Sequence, residues 1–314
     1  MVFIKDLVEN GNVSEVYLCK GKQLGTAKNG SNYLTFTFMD KTGTIDGKIW
    51  DVSEDTMSDL EEITVGSFVN VRGAITSFNS KLQINISGIS MADDYDESNY
   101  YPITDKNIEE MWNKTTEIVN SVKNEFLNAL LKEFFDNDKI KSGYMKSSAA
   151  KSIHHAFIGG LLEHSLNVAL HCKNYCELYP NTFNYDLLIT AALLHDIGKI
   201  RELSSFPEND YTDEGNLLGH VYMGAEMITI KAKNIPNFPR VLLTELKHCI
   251  LAHHGELEYG SPKKPSLIEA LALSYADGTD AKIQTFKEKI ASANEYEYVS
   301  DRFLGLNVRK TYGQ

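Results

Sequence analysis

Five of the nine histidines in this 314-residue chain fall into one ordered series with two aspartates: His164, His195-Asp196, His220, His253-His254 and Asp277. Imidazole nitrogens and carboxylate oxygens, with no thiolate among them, are the donors that suit Mn, Fe, Co, Ni or Zn. A carboxylate also has two oxygens with which to bridge a pair of cations roughly 3.5–4 Å apart, and Asp196 is the candidate bridge. Any one of these histidines alone reads as an ordinary core or surface residue; the ordered set does not. The His-Asp pair follows Ala191-Ala192-Leu193-Leu194, and the His-His pair follows Ile250-Leu251-Ala252. Polar groups inside such apolar helices are costly to bury unless something compensates them, and metal coordination does so. The reaction such a centre suits is in-line attack of an activated water on a phosphate ester, with charge on the phosphoryl oxygens neutralised by the cations. Lys199, three residues after Asp196, is placed to set its ammonium on a phosphate oxygen. His154 and His155, ahead of the first ligand helix, are candidates to contact substrate or to protonate a leaving oxygen. His171 and His248 read as structural histidines.

Each member of the series must be held on, or at the end of, a different helix, so that a bundle can aim them at one interior point. The spacing of apolar residues predicts helices over Gly160–Leu178, Tyr185–His195, Tyr222–Lys231, Val241–His254 and Ser266–Ala276, the last opened by a Ser266/Glu269 capping box after Pro265. Gly198 and Gly255 each closely follow a ligand pair, which predicts helices ending on a glycine C-cap. Upstream, Ile108, Met111, Trp112, Val119, Val122, Phe126, Leu130 and Phe134 recur at three- and four-residue steps, again helical.

The first 90 residues have a different period. Leu34, Phe36 and Phe38 alternate with Thr35, Thr37 and Met39, and Asp40-Lys41-Thr42-Gly43 supplies a turn before an extended Thr44–Trp50. Ser67–Thr76 and Lys81–Ile89 read as further strands, and several short strands around one small core suggest a barrel of the oligonucleotide-binding (OB) type. Exposed aromatics with lysines beside them would give such a barrel stacking platforms and a charge that follows a phosphate backbone. Tyr33, Trp50 and Phe78 are the candidate rings, and Lys20, Lys22, Lys28 and Lys48 the candidate charges. Lys139, Lys141, Lys146 and Lys151, just ahead of the histidine series, are candidates to line an entry path. The acidic, polar 91–103 stretch reads as a linker. The expected fold class is therefore multidomain α+β: a barrel over 1–90, the linker over 91–103, a helical connector over 104–150, an all-α metal-binding bundle over 151–285 and a tail over 286–314.

The net charge of -12 argues against a protein that coats nucleic acid electrostatically, because that mode needs clustered Lys and Arg. An enzyme needs only a local basic path, and bound divalent cations add positive charge where a phosphate must sit. The four cysteines lack the paired spacing of zinc ribbons and are expected to be reduced. No apolar run approaches the roughly 18 residues that cross a bilayer, and the first residues carry Lys5, Asp6 and Glu9 where a signal peptide has an apolar core. No membrane partner and a cytoplasmic place are the expectations, with a homo-oligomer left open.

Gly159-Gly160-Leu161-Leu162-Glu163-His164, Leu194-His195-Asp196-Ile197-Gly198-Lys199, Ala252-His253-His254-Gly255 and Ala276-Asp277 resemble the HD superfamily of metal-dependent phosphohydrolases. Joined to a barrel carrying Leu34–Thr44 and Lys48-Ile49-Trp50-Asp51, they resemble over nearly the whole chain the YhaM-type 3′-5′ exoribonucleases of Gram-positive bacteria. The resemblance implies that His164, His195, Asp196 and Asp277 hold a first cation. It implies that His220 with one or both of His253 and His254 hold a second, Asp196 being shared. The implied cofactor is thus two divalent cations, Mn²⁺ first among the candidates. Gly160 stands where some three-metal relatives carry an acidic ligand, so no third ion is expected. The implied substrate is single-stranded RNA, trimmed from its 3′ end to 5′-mononucleotides, with single-stranded DNA also open. The alternatives from other classes are an HD-type nucleotide phosphohydrolase or cyclic-dinucleotide phosphodiesterase, and a non-catalytic module with structural metals.

Overall fold

A computed structural model of the chain describes every residue except 27–29, 51, 54–56, 59, 79–80, 152–154, 292, 302–304 and 314. It divides into two compact units, one of Met1–Ile103 with Phe206–Glu208, the other of Thr104–Ser205 with Asn209–Gln314.

The first unit is a closed barrel in the order β1-β2-β3-β5-β4, from β1 (Asn12–Thr26), β2 (Asn32–Asp40), β3 (Gly43–Ile49), β4 (Phe68–Phe78) and β5 (Lys81–Met91). All neighbours are antiparallel except β3 and β5, which run parallel with Gly47 opposite Ile84. Leu34, Phe36 and Phe38 of β2, Val69, Val71 and Ile75 of β4 and Ile84 of β5 fill the interior, as their two-residue period requires. β1 has no such period, and the reason is local. Its register shifts between Cys19 and Gly21, and the strand serves two clusters. Tyr17 and Cys19 face the barrel core, while Leu18 packs with Met39, Phe68, Ala92 and Tyr100 outside it. A bulge that re-aims side chains erases the alternation that would have revealed the strand.

The stretch expected as a linker is partly a packed element. Tyr95 stacks on Phe68 with ring centroids 3.8 Å apart, and Tyr100 meets the same ring edge-on at 5.0 Å. Its acidic residues are turned to solvent while its aromatics cover the barrel.

The second unit is helical: α1 (Ile108–Ser121), α2 (Glu125–Phe135), α3 (Asp138–Lys146), α4 (Gly160–Leu178), α5 (Tyr185–Leu194), α6 (Lys199–Glu202), α7 (Asp213–Leu218), α8 (His220–Ala232), α9 (Arg240–Ala252) and α10 (Ile268–Ala291). Asparagine side chains cap several of them, Asn107 on α1, Asn124 on α2, Asn137 on α3 and Asn184 on α5. The Asn124 cap splits into two helices what one apolar period had run together. α5 is buried on every side from Leu187 to Leu194 and so forms the axis of the bundle. The 104–150 connector shares one apolar core with α4, α5, α8, α9 and α10. The 286–314 tail contains the end of α10 and a small ribbon of β6 (Val299–Asp301) and β7 (Leu306–Val308).

Two cap expectations are corrected. The Ser266/Glu269 capping box does not form: Glu269 Oε1 accepts the Asn184 amide at 2.7 Å, the Ser266 amide donates to His248 Nε2 at 2.8 Å, and α10 begins at Ile268. Tertiary partners outcompete the local pairing. Gly255 is the left-handed cap expected, at φ +77°. Gly198 is right-handed helical and serves a different need, since a Cβ there would collide with the His220 carbonyl oxygen and lie 2.8 Å from the Gly224 amide nitrogen. That close approach seats α8, and with it His220, against the turn carrying Asp196. Gly198→Ala is therefore expected to destabilise the protein by about 1–3 kcal/mol through overpacking against backbone. Urea unfolding measures this, and an unchanged midpoint would contradict it.

Candidate metal centre

The His/Asp series converges in the helical unit from five places. His164 lies in the first turns of α4, His195-Asp196 just past α5, His220 at the first residue of α8, His253-His254 just past α9, and Asp277 midway along α10. His195, His164, His253 and Asp196 are buried, whereas His220, His254 and Asp277 are partly open, so the centre meets solvent on their side.

Two sets of donor atoms form around Asp196. On one side His164 Nε2 lies 3.2 Å from His195 Nε2, 3.2 Å from Asp277 Oδ1 and 3.5 Å from Asp196 Oδ2, and His195 Nε2 is 3.4 Å from the same Oδ2. On the other side Asp196 Oδ1 lies 3.4 Å from His220 Nε2 and 3.6 Å from His253 Nε2. His254 completes this second set, in which donor atoms of His220, His253 and His254 lie within 4.8 Å of one another. Ligand atoms each about 2.0–2.2 Å from one cation stand about 3.0–3.5 Å apart in octahedral or tetrahedral arrangements, close to the separations found.

The hydrogen bonds say which atom each ring turns inward. His195 Nδ1 is 2.8 Å from the Ala192 carbonyl, His253 Nδ1 2.6 Å from the Ile250 carbonyl, His220 Nδ1 2.9 Å from Glu202 Oε1 and His164 Nδ1 2.7 Å from Asp280 Oδ2. Every partner is an acceptor, so each Nδ1 carries a proton and donates it, turning Nε2 toward the centre. Asp196 Oδ1, His220 Nε2, His253 Nε2 and His254 Nδ1 are buried without a hydrogen-bond partner. Orphaned acceptors of this kind are a strong indication of a cation, and the donor set fits two divalent ions with Asp196 between them.

The remaining candidates fall out unevenly. Lys199 is buried; its Nζ donates to Asp196 Oδ2 at 2.8 Å and to the Ala149 carbonyl at 2.5 Å. It is neither a solvated lysine nor a free phosphate ligand: one of its three protons goes to the Asp196 carboxylate and a second to the Ala149 backbone carbonyl. His155 has no exposed surface, and its Nε2 lies 2.8 Å from Asp280 Oδ2, so it stands behind His164 rather than in front of it. His154 lies outside the described residues. Lys141 Nζ sits 5.1 Å over the Trp112 ring, and Lys151 pairs with Asp210 at 2.5 Å. The place where a Gly160 side chain would grow is filled by the His155 carbonyl, leaving no room for an acidic ligand there. Sequence reading missed Asp280 and Glu202, the carboxylates behind His164 and His220. Asp280 was visible in principle, one helical turn beyond Asp277.

On the barrel, Tyr33, Trp50, Phe78 and Lys48 gather at one place. The Tyr33 and Trp50 rings are 5.3 Å apart, and Lys48 Nζ lies 5.4, 5.1 and 5.7 Å from the Tyr33, Trp50 and Phe78 centroids. Trp50 is 46% and Phe78 60% exposed. Gly25 makes room for this platform, because a Cβ there would stand 2.5 Å from Tyr33 Cζ. Lys22 is not part of it: its Nζ caps the Leu60 and Ile63 carbonyls at 2.6 and 3.1 Å. Lys20 is half-buried on β1, and Lys28 lies outside the described residues.

Charge in the centre is strongly biased. Burial opposes ionisation of Asp196 and Asp277, but Lys199 and His195 beside Asp196, and His164 beside Asp277, outweigh it and hold both carboxyls below their ordinary range. Burial and the neighbouring imidazoles keep His253 and His254 neutral, with pKa values depressed. His164 goes the other way. Burial disfavours its charge, yet Asp277 and Asp280 overcome burial and push its pKa up to about 10. In the cation-free chain a proton therefore persists on this ring at neutral pH and well above it. A cation gains His164 only after that proton leaves, so affinity falls as pH falls and loading releases a proton. Calorimetric titration with Mn²⁺ at neutral pH, in buffers differing in ionisation heat, should show release of about one proton; heats independent of the buffer would contradict the exchange.

The family model "HD domain" matches residues 161–282, and "OB-fold nucleic acid binding domain" matches residues 11–92. A protein of Geobacillus sp. (strain WCH70), "3'-5' exoribonuclease YhaM", is 33% identical over 308 residues, covering 97% of this chain and 93% of its own length. Its namesake in Listeria welshimeri is 34% identical over 312 residues, with 97% and 96% covered, and that in Bacillus licheniformis 32% identical over 317 residues, with 98% and 96% covered. Among solved structures, the second OB-fold domain of replication protein A from Methanococcus maripaludis aligns with 29% of this chain and 94% of its own. The identity there is 22% and the TM-score 0.23, too slight to carry weight. With both domain models matched in this order and relatives 33% identical over 97% of its length, the chain belongs to the YhaM family of 3′-5′ exoribonucleases.

Proposed function

We propose that this chain is a divalent-cation-dependent 3′-5′ exoribonuclease that hydrolyses single-stranded RNA to 5′-mononucleotides in the cytoplasm. The observation that carries the reading is the pair of half-sites about Asp196: in one, His164 and His195 set their Nε2 atoms 3.2 Å apart beside Asp196 Oδ2, and in the other, Asp196 Oδ1, His220 Nε2, His253 Nε2 and His254 Nδ1 are buried with no partner in the protein. His164, His195, Asp196 and Asp277 would hold one cation, and Asp196, His220, His253 and His254 the other; Mn²⁺ is the ion proposed. Bound there, such a pair supplies the positive charge that lowers the pKa of water and balances the charge developing on a phosphodiester.

The protein's own groups do the positioning. Lys199 compensates the buried negative charge of Asp196 and fixes its plane, so that one oxygen faces each half-site. Asp277, His220 and His254, the partly open members, stand where a phosphate must enter. No side chain among the described residues of the centre is placed as a covalent nucleophile, consistent with direct attack by water. On the barrel, bases stack on Trp50, Tyr33 and Phe78 while Lys48 meets the backbone. That local platform reconciles strand binding with an acidic protein. No helix among the described residues is long and apolar enough to cross a membrane. The relatives named as exoribonucleases leave no need for the nucleotide-level alternative.

Two measurements test this. With Mn²⁺ and a 5′-labelled oligoribonucleotide, the label should move through a ladder of shortening products as 5′-mononucleotides appear, and Asp196→Asn should lower kcat by more than about a hundredfold. Internal cuts, or activity retained by Asp196→Asn, would contradict the assignment. Removing Trp50 and Phe78 together by alanine substitution should raise KM for long strands roughly tenfold or more, base stacking being worth about 1–3 kcal/mol. The same change should leave turnover of a dinucleotide nearly unaltered; equal effects on both substrates would remove the platform from the account.

A further inference from the structure

Four of the five histidines of the centre, His164, His195, His220 and His253, are oriented by two different devices. His195 and His253 stand just past the last turns of α5 and α9, where helix carbonyls lack amide partners. Each takes the carbonyl three residues back, Ala192 or Ile250. His164 and His220 lie at the beginnings of α4 and α8. A helix start offers free N–H groups, not carbonyls, so an Nδ1–H there must find its acceptor elsewhere in the fold. In both cases it finds a carboxylate. Glu202, from the end of α6, takes His220 Nδ1 and the His220 backbone amide on one oxygen, each at 2.9 Å. Asp280, from α10, takes His164 Nδ1 at 2.7 Å and His155 at 2.8 Å on Oδ2, while Asn167 Nδ2 holds its Oδ1 at 2.9 Å. Both carboxylates are themselves buried. Each half-site thus contains one histidine fixed by its own helix and one fixed by a distant carboxylate.

Resting on the two-cation reading above, we propose that Asp280 and Glu202 are positioning residues that work separately. Asp280 sets the affinity of the half-site containing His164, and Glu202 that of the half-site containing His220. A carboxylate behind an imidazole fixes its tautomer and raises the basicity of the opposite nitrogen, and losing such a partner typically weakens metal affinity by about 10–100-fold. Neither residue reaches the inward face of its ring, so both act through the histidine and not on substrate. His155 and Asn167 act one step further out, by holding Asp280.

The test is a set of Mn²⁺ binding measurements on the full chain, by equilibrium dialysis and by the electron paramagnetic resonance signal that distinguishes a coupled pair from a single ion. The wild type should hold two coupled ions, and His220→Ala a single uncoupled one. On that His220→Ala background, adding Asp280→Asn should weaken the remaining ion by roughly 10–100-fold. Adding Glu202→Gln should change it by less than about twofold, since its partner ring is already gone. In the otherwise wild-type chain, Asp280→Asn and Glu202→Gln should each convert the coupled signal to that of a single ion. If Asp280→Asn does not fold, Asn167→Ala, which frees Oδ1 only, should weaken the same ion by a smaller factor. Equal effects of the two carboxylate variants on the His220→Ala background, or no effect of either, would overturn the proposal while leaving the two-cation reading intact. A wild type that holds only one ion would overturn the reading beneath it.

Discussion

The structure depends on what can be tolerated between imidazole lone pairs that face each other. His164 and His195 present Nε2 atoms 3.2 Å apart, and Asp196 sets one oxygen against each of two such groups. With Nδ1 of His164, His195, His220 and His253 each donating to a fixed acceptor, these four rings cannot relieve the repulsion by changing tautomer. Positive charge must stand among them, a proton on His164 in one state and divalent cations in the other. The buried position of Lys199, the glycine at 198 and the converging helix ends all follow from meeting that requirement.

Helix ends are the means by which the fold meets it. α5 and α9 end at the centre with free carbonyls, α4 and α8 begin there with free amides, and α10 passes alongside to supply Asp277 and Asp280. The apolar core behind these ends is continuous from Met111 to Ala276, so the candidate ligands stand on a rigid base. Such preorganisation makes affinity sensitive to the buried carboxylates behind the rings. The role proposed for the barrel is simpler, since flat rings around one lysine would take any base by its face and ask little of sequence. Its cation is local, which is how a chain of net charge -12 can present a surface suited to a polyanion.

Much of this was legible in the residues because the relevant periods are strong. The alternation of Leu34, Phe36 and Phe38 marked β2, and the apolar runs before His195 and His253 marked helices that end on those histidines. The grouping of Tyr33, Trp50, Phe78 and Lys48 could be guessed by residue type. What escaped notice did so for physical reasons. β1 was hidden by its bulge; the Ser266/Glu269 pair had the right spacing but better tertiary partners in His248 and Asn184. Lys22 looked like a free charge until its partners, the Leu60 and Ile63 carbonyls, were visible. Asp280 and Glu202 carry no motif, because a residue that supports a ligand is defined by where the chain brings it.

The most direct test of the central claim is anomalous diffraction from crystals grown with Mn²⁺. Two peaks about 3.5–4 Å apart, one on each side of the Asp196 carboxylate and each within bonding distance of one of its oxygens, are the predicted result. A single peak, or peaks that leave Asp196 bound on one side only, would contradict the account.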